Sequence, residues 1–359
     1  MRLGIIGLPN SGKTTIFNAL TGQNLATGAA TSGQFEVHTA VVNVPDARVE
    51  KLIAMYKPRK TAYATVTYAD IGGLEKGISD GGLKGQFRNE LGQVDGFVHV
   101  VRAFQDDTVP HPYGDVNPQR DVETLDGEFI LADLVMVEKR LEKLQSDMRI
   151  RGKAVDKAVP VELELMERFK VQLEAERPLL ELEIAPEQEK GIRGYGFLTL
   201  KPVLVVVNQG DVAGDLSQQM NYTRAGSRVV GLQGKIEAEL AQLGADDAAM
   251  FMQEYNITEL SAAKVIRLSY ELLAIQSFFT VGEDEVRAWS VHIGATAPEA
   301  AGAIHSDLQK GFIRAEVMKY EDLIAAGSEA AMKATGKMRL EGREYVVKDG
   351  DIVHIRHNA

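Results

Sequence analysis

The sequence predicts an α/β fold: a parallel-rich sheet carrying a phosphate-binding loop, an antiparallel α-helical hairpin inserted between two of its strands, and a small mixed β/α module at the end. Three observations predict it. Met1 to Gln23 runs from a short apolar strand through a glycine-framed loop into a helix. Ile130, Leu134, Val137, Leu141, Leu144 and Met148 fall at alternating four- and three-residue steps, the seam of paired helices. Residues 277–359 alternate strand-like and helix-like patterns of their own. At 359 residues the chain exceeds one ordinary core, so two or three domains are expected.

The first stretch organises the rest. Leu3, Ile5 and Ile6 read as a buried parallel strand ending at Gly7. Gly7-Leu8-Pro9-Asn10-Ser11-Gly12-Lys13-Thr14 is a full match to the P-loop pattern, and the run Ile16 to Leu20 continues it as a helix. Gly7 and Gly12 let backbone N–H groups turn inward without a Cβ in the way. The helix start adds free N–H groups and its positive dipole end, so Asn10, Ser11, Gly12, Lys13, Thr14 and Thr15 are expected to cradle a nucleoside triphosphate. Lys13 is expected at the β- and γ-phosphates and the Thr14 hydroxyl on Mg²⁺.

Composition excludes several classes. Hydrophobic content of 45% and charged content of 25% are those of an ordinary globular protein. No apolar run approaches a membrane span, and the N-terminus enters a strand directly, so neither a membrane partner nor a signal peptide is expected. The absence of cysteine excludes disulfide scaffolds and thiolate metal sites. A cytoplasmic location is the expectation. The net charge of −11 argues against a nucleic-acid-coating protein, and DNA is not an expected partner, while a local basic patch for RNA stays open.

Along the chain, Asn24 to Gln34 reads as a loop and Glu36 to Val44 as a strand, followed by a helix near Asp46 to Tyr56. Ala64 to Ala69 is another strand, ending on Asp70-Ile71-Gly72-Gly73. Beside a P-loop, an acidic residue there is expected to approach Mg²⁺ and the Gly73 N–H to sense the γ-phosphate. Gly77 to Gly85 holds four glycines in nine residues and reads as a switch loop. Val94 to Val101 is the next buried strand. Its His99 alternates as a core residue, whereas His111 lies on the following loop, on the side where parallel sheets bind ligands. The hairpin is expected from Asp126, its second helix marked by Val161, Leu165, Phe169 and Leu173. Lys139 to Lys157 carries seven Lys and Arg against three Asp and Glu, which reads either as a contact for an anionic partner or as a solvated helix face. Pro202 to Val207 returns to the parallel-strand pattern and ends on Asn208-Gln209-Gly210-Asp211. In this order after a P-loop, Asn208 and Asp211 point to base recognition, as do backbone N–H groups of Ser261, Ala262 and Ala263. In the last module, Thr296 to Glu299 forms a capping box, Ile313 to Met318 a strand, Glu321 to Ala334 a helix, and Met338 to His357 a pair of strands around Lys348-Asp349-Gly350.

These residues resemble the YchF-type P-loop NTPases, an Obg-related branch of the translation-factor GTPase superfamily. The resemblance spans essentially the whole chain, most specifically in LPNSGKTTIFNAL, ILADLVMVEKRLEKL, FLTLKPVLVVVN and the tail from FFTVGEDEVRAW to GREYVVKDGDIVHIR. It implies a P-loop NTPase domain in two parts (1–125 and 196–276), an inserted coiled-coil hairpin (126–195) and a C-terminal TGS domain (277–359), a β-grasp, ubiquitin-like module. It also implies slow ATP or GTP hydrolysis, with Mg²⁺, linked to the ribosome (its large subunit) or RNA. An alternative is a nucleotide-sensing module whose turnover is incidental. His111 matches the family's proposed catalytic histidine, because Leu74 stands where a water-positioning Gln would be. Beside Leu74, two further departures bear on the site, one in the base motif and one in the first switch. Asp211 replaces the family's Glu. Gln209 is not the Lys of the guanine-type Asn-Lys-x-Asp, which predicts a loosely braced base loop. Gln34 stands where the first switch offers a Thr to Mg²⁺, with Thr31 and Ser32 nearby.

Overall fold

The computed structural model describes residues 1–27, 36–72, 83, 85–151, 156, 158–211, 214–254 and 260–358. They divide into two compact units, 1–40 with 67–265, and 41–66 with 266–359. In chain order the strands are β1 (Arg2–Ile6), β2 (Val37–Asn43), β3 (Lys60–Ala62), β4 (Thr65–Ile71), β5 (Gly96–Arg102), β6 (Val203–Asn208), β7 (Ser227–Leu232), β8 (Ile275–Thr280), β9 (Glu285–His292), β10 (Phe312–Lys319), β11 (Arg339–Glu341) and β12 (Asp351–His357). Among the described residues the first five helices are α1 (Lys13–Thr21), α2 (Ala47–Tyr56), α3 (Gly85–Gln93), α4 (Pro118–Arg151) and α5 (Ala158–Glu174).

The first unit is built on a sheet in the order β2-β4-β1-β5-β6-β7. From β4 to β7 every pairing is parallel. Parallel strands are covered on both faces, which is why β5 is buried along its whole length and β6 along nearly all of it. His99 is a core residue on β5, and burial, with the Lys13 charge in range, pushes its pKa down to about 3. The register pairs Ile5 with Asp70 and Arg102 with Asn208, so the P-loop, Asp70 and Asn208 all lie at the C-terminal edge of the sheet.

The hairpin interrupts this unit between β5 and β6, and α4 begins at Pro118, earlier than the expected Asp126. The cause is a start signal in the sequence: Asn117 Oδ1 accepts the Arg120 N–H at 3.1 Å and proline occupies the first helical position. Ile130, Val137, Leu141 and Leu144 then pack with Leu165, Met166, Phe169 and Leu173 of α5. Val161, expected in that seam, is exposed.

The second unit is a sheet in the order β11-β10-β12-β8-β9-β3. The helix Ala297–Ile304 packs on it through Ala297, Ala300 and Ala301, and its capping box is formed, with the Thr296 N–H donating to Glu299 Oε2 at 2.7 Å. The expected helix Glu321 to Ala334 is two helices, because Gly327 takes φ 74° and Ser328 caps the second. β11 and β12 both pair with β10, not with each other. One strand and one helix of this unit come from far upstream. β3 adds a parallel edge to β9, and α2 packs against β9. Arg48 lies 5.1 Å above the Phe279 ring and bonds both Asp46 and Asp349. Residues 41–66 therefore group with the C-terminal module, where the expected boundaries ran straight from 1 to 125.

Candidate nucleotide-binding site

The phosphate loop has the backbone its glycines imply. At Gly7 a Cβ would sit 2.3 Å from the Val100 carbonyl, so only glycine lets the loop pass β5 this closely. Gly12 has φ 90° and faces Asn208, whose Nδ2 would lie 2.2 Å from a Cβ there. Asn10 also takes a left-handed conformation, φ 62°, which asparagine tolerates better than most residues. Lys13, half-buried, donates from Nζ to the carbonyls of Gly7 (3.1 Å) and Leu8 (3.0 Å) and so folds over the loop. Thr15 follows in the first turn of α1.

Thr14 Oγ1 donates to Asp70 Oδ2 at 2.8 Å, joining the P-loop to the end of β4. Burial raises the Asp70 pKa, while the Thr14 hydrogen bond and the Lys13 charge pull it back. A hydroxyl and a carboxylate are hard oxygen donors suited to Mg²⁺. Among the described residues no group of three or more His, Cys, Asp or Glu is placed to hold a metal. A two-oxygen site completed by the phosphates of a nucleotide fits that pattern.

The loop after β5 is held from below. Arg102 is buried and donates to the carbonyls of Phe104 (3.0 Å), Val109 (2.8 Å) and Asp106 (3.3 Å). From above, Asn10 Nδ2 donates to the Pro110 carbonyl at 2.9 Å. His111 sits next to that contact with a side chain only 3% exposed. Its Nδ1 accepts the Tyr113 N–H at 3.2 Å, which leaves the ring proton on Nε2 to donate to Asp121 Oδ2 at 2.9 Å. Both ring nitrogens are engaged within the chain.

The β6 end differs from the expectation of a base reader. Asn208 is buried; its Nδ2 donates to the Ser11 carbonyl at 2.9 Å and its Oδ1 accepts the Gly210 N–H at 3.2 Å. It braces the phosphate loop. Gln209, also buried, donates to the Gly214 carbonyl at 2.6 Å and accepts the Leu216 N–H at 2.8 Å. The expected loose loop is thus pinned by the very residue that replaces lysine. Asp211 is exposed, with Lys235 Nζ 3.7 Å away. The N–H groups of Ser261 and Ala262 donate to the Glu237 carboxylate at 2.7 and 3.3 Å, and that of Ala263 to the Leu260 carbonyl. Glu237 carries no motif, so its role was not readable from the sequence. Gly73, Leu74, Gln34, Thr31 and Ser32 lie outside the described residues, as does the expected switch loop except Leu83 and Gly85.

Comparison with known proteins follows the same outline. Residues 2–139 match the model MMR_HSR1, described as a 50S ribosome-binding GTPase, and residues 275–358 match YchF-GTPase_C, described as a protein of unknown function (DUF933). The chain is 42% identical over 365 residues to the "Ribosome-binding ATPase YchF" of Bacillus subtilis (strain 168), covering 99% of each chain. It is 39% identical to the protein of the same name in Escherichia coli O157:H7, covering 100% of this chain and 99% of the other. Among solved structures, that of the Schizosaccharomyces pombe YchF GTPase superposes with a TM-score of 0.83 at 33% identity, covering 99% of this chain and 97% of that one.

Proposed function

The chain belongs to the YchF family, and on that premise we propose that it is a slow P-loop nucleoside triphosphatase that works on the ribosome in the cytoplasm. The observation that carries the site is the Thr14–Asp70 bond beside Lys13, at the adjoining ends of β1 and β4. Gly12, Lys13, Thr14 and the loop N–H groups bind the phosphates, and the Lys13 ammonium stabilises charge that develops on the transferring group. Thr14 and Asp70 would hold Mg²⁺, which when bound would supply charge neutralisation for the phosphates. Asn208, Asp211 and the start of the helix at Ser261 border the base. Gly73 senses the γ-phosphate.

Partner binding follows from the relatives' names, which specify ribosome binding. In this reading the hairpin tip contacts ribosomal RNA of the large subunit through Arg149, Arg151, Lys153 and Lys157. Arg149 is exposed. Such contacts release counterions, so binding weakens steeply with salt. Neutralising all four without changing affinity or salt slope would return the tip to a solvated face.

One observation favours a second reading, a nucleotide-sensing module with incidental turnover. His111, the candidate for orienting water, has both ring nitrogens bonded within the chain. Phosphate release measured with and without ribosomes separates the two. Acceleration well above the basal rate supports the triphosphatase; tight binding with unchanged turnover supports the sensor.

A further inference from the structure

α4 carries polar side chains at seven-residue spacing, Gln119, Asp126, Asp133 and Arg140, and each is bonded to a different neighbour. Gln119 bonds the Asn221 backbone through both amide atoms. Asp126 takes the Tyr222 hydroxyl and lies 3.1 Å from Arg224 Nη1. Arg140 pairs with Glu162 of α5. A heptad step keeps these groups on nearly one face, so the stripe fixes the rotation of the helix as well as its position.

Asp133 is the most enclosed member, with no exposed surface. It accepts N–H donors from Leu198 (3.0 Å) and Thr199 (2.8 Å) and the Thr199 hydroxyl (2.8 Å), and Arg88 Nη2 of α3 reaches it at 3.4 Å. α3 is tied to the same segment twice more. Lys201 Nζ donates to the carbonyls of Leu91, Gly92 and Val94 at 2.7, 2.7 and 2.6 Å. At Gly196 a Cβ would stand 2.9 Å from the Gly92 carbonyl, so two backbones touch with no side chain between them. Phe87 and Leu91 of α3 share one apolar cluster with Ile6 and Ile71, and also with Leu198 and with Leu125 and Phe129 of α4. Ile6 immediately precedes Gly7, and Ile71 immediately follows Asp70.

We propose that Asp133 is the positioning residue through which the nucleotide site moves the hairpin: α3, residues 196–201 and the root of α4 turn as one body. This rests on the triphosphatase reading and adds its mechanical output. A displacement at Asp70 or the P-loop pushes Ile71 and Ile6 against α3, and the Arg88–Asp133 and Lys201 ties pass it to a helix of 34 residues. A small rotation at the root becomes a larger displacement at the tip.

The chain has no cysteine, so paired labels are placed cleanly at Ile150→Cys on the exposed tip and Arg228→Cys on β7 in the full-length protein. Energy transfer between them is read with and without a non-hydrolysable ATP or GTP analogue and Mg²⁺, alongside nucleotide affinity. The expected result is a nucleotide-induced change in the parent that falls about fivefold or more in Arg88→Met, at unchanged affinity, and is kept by Arg88→Lys. Met fills much of the arginine's space and leaves Asp133 its three other donors, while Arg88→Lys keeps the buried charge pair and serves as the folded control. Lys201→Met, cutting the second tie, gives an independent reading in the same direction. The coupling is overturned if transfer does not change with nucleotide in the parent, or changes as much in both variants. Failure of the parent to bind either analogue would instead sink the triphosphatase reading on which the coupling rests.

Discussion

At the end of β1, Lys13 and Thr14 are half-buried and bonded to the loop carbonyls and Asp70; at the end of β6, Asn208 and Gln209 are buried and bonded to the chain on every side. A hydrogen bond at a wetted surface is exchanged for one to a ligand with little desolvation cost. A sealed one is not, because leaving it unmade strands a buried donor or acceptor. The first pair are therefore groups for a ligand and the second are braces that hold the first in place. The contrast separates two kinds of loss: ligand groups change activity and leave stability alone, whereas braces change stability and treat all nucleotides alike.

The largest effect is expected from Lys13→Ala. Removing a charge directed at the phosphates should lower kcat/KM by about 10²–10³-fold or abolish binding. Stability should stay within about 0.5 kcal/mol, since the half-exposed side chain leaves little packing behind. Unchanged turnover would break the P-loop assignment.

His111 falls between the two kinds, buried like a brace yet on a ligand-side loop. If its ring leaves Asp121 to place a water, His111→Ala should lower kcat by about 10²–10⁴-fold at unchanged nucleotide affinity. A lower melting temperature with kcat nearly unaltered would class it with the braces instead.

Asn208→Ala should cost about 1–3 kcal/mol of stability, because the Ser11 carbonyl and the Gly210 N–H lose a buried partner. ATP and GTP affinities should fall by the same factor. A change for one nucleotide alone would make Asn208 a base reader after all.

How far the sequence carried depends on what each element needed. The P-loop was legible because its backbone conformation demands glycine at Gly7 and Gly12, and residue type betrays such a demand. The parallel strands were legible because burial on both faces writes a continuous apolar run, and the hairpin seam because burial on one face writes periodicity. The brace at Gln209 was not, because an amide's two bonds, here to Gly214 and Leu216, depend on how a loop closes and leave no pattern. Glu237 was hidden for the same reason: its partners lie 24 and 25 residues away. The transfer of 41–66 to the second unit was invisible because β3 is three residues long and its pairing with β9 is set by tertiary packing. The early start of α4 was readable from Asn117-Pro118, the cap signal itself.

Asp126 tests a brace through pH. Burial raises its carboxyl to about 6, against the opposing pull of Arg224 and Tyr222. The folded pKa exceeds the unfolded value of about 3.9, so the folded state holds a proton that the unfolded chain releases between these values. Stability from this group therefore falls as pH rises from about 4 to about 6, and the penalty is fully present above that. Asp126→Asn should remove that slope, changing the stability difference from the parent by up to about 3 kcal/mol across the window in urea unfolding at each pH. A parallel offset at all pH values would show that the carboxyl does not titrate there.

The smallest effect is expected at Asp211. Its carboxylate can accept the N1–H and N2–H of guanine, and adenine offers no such donor pair, which argues for GTP. Two observations limit the preference. The side chain is 65% exposed, and Lys235 lies 3.7 Å away in an equally open position, a pairing worth about 0–1 kcal/mol. Discrimination by hydrogen bonding is strong only where the wrong ligand leaves a buried group unpaired, and an exposed carboxylate facing adenine keeps water as its partner. The Gln209 brace fixes the loop without burying Asp211, so rigidity alone does not sharpen the choice. ATP and GTP should therefore bind within about tenfold of each other, or about 1.4 kcal/mol, and Asp211→Asn should shift their ratio by less than that. Competition at fixed Mg²⁺ decides it. A hundredfold preference that disappears in Asp211→Asn would mean that nucleotide binding closes the loop over this carboxylate and turns an open acceptor into a buried one.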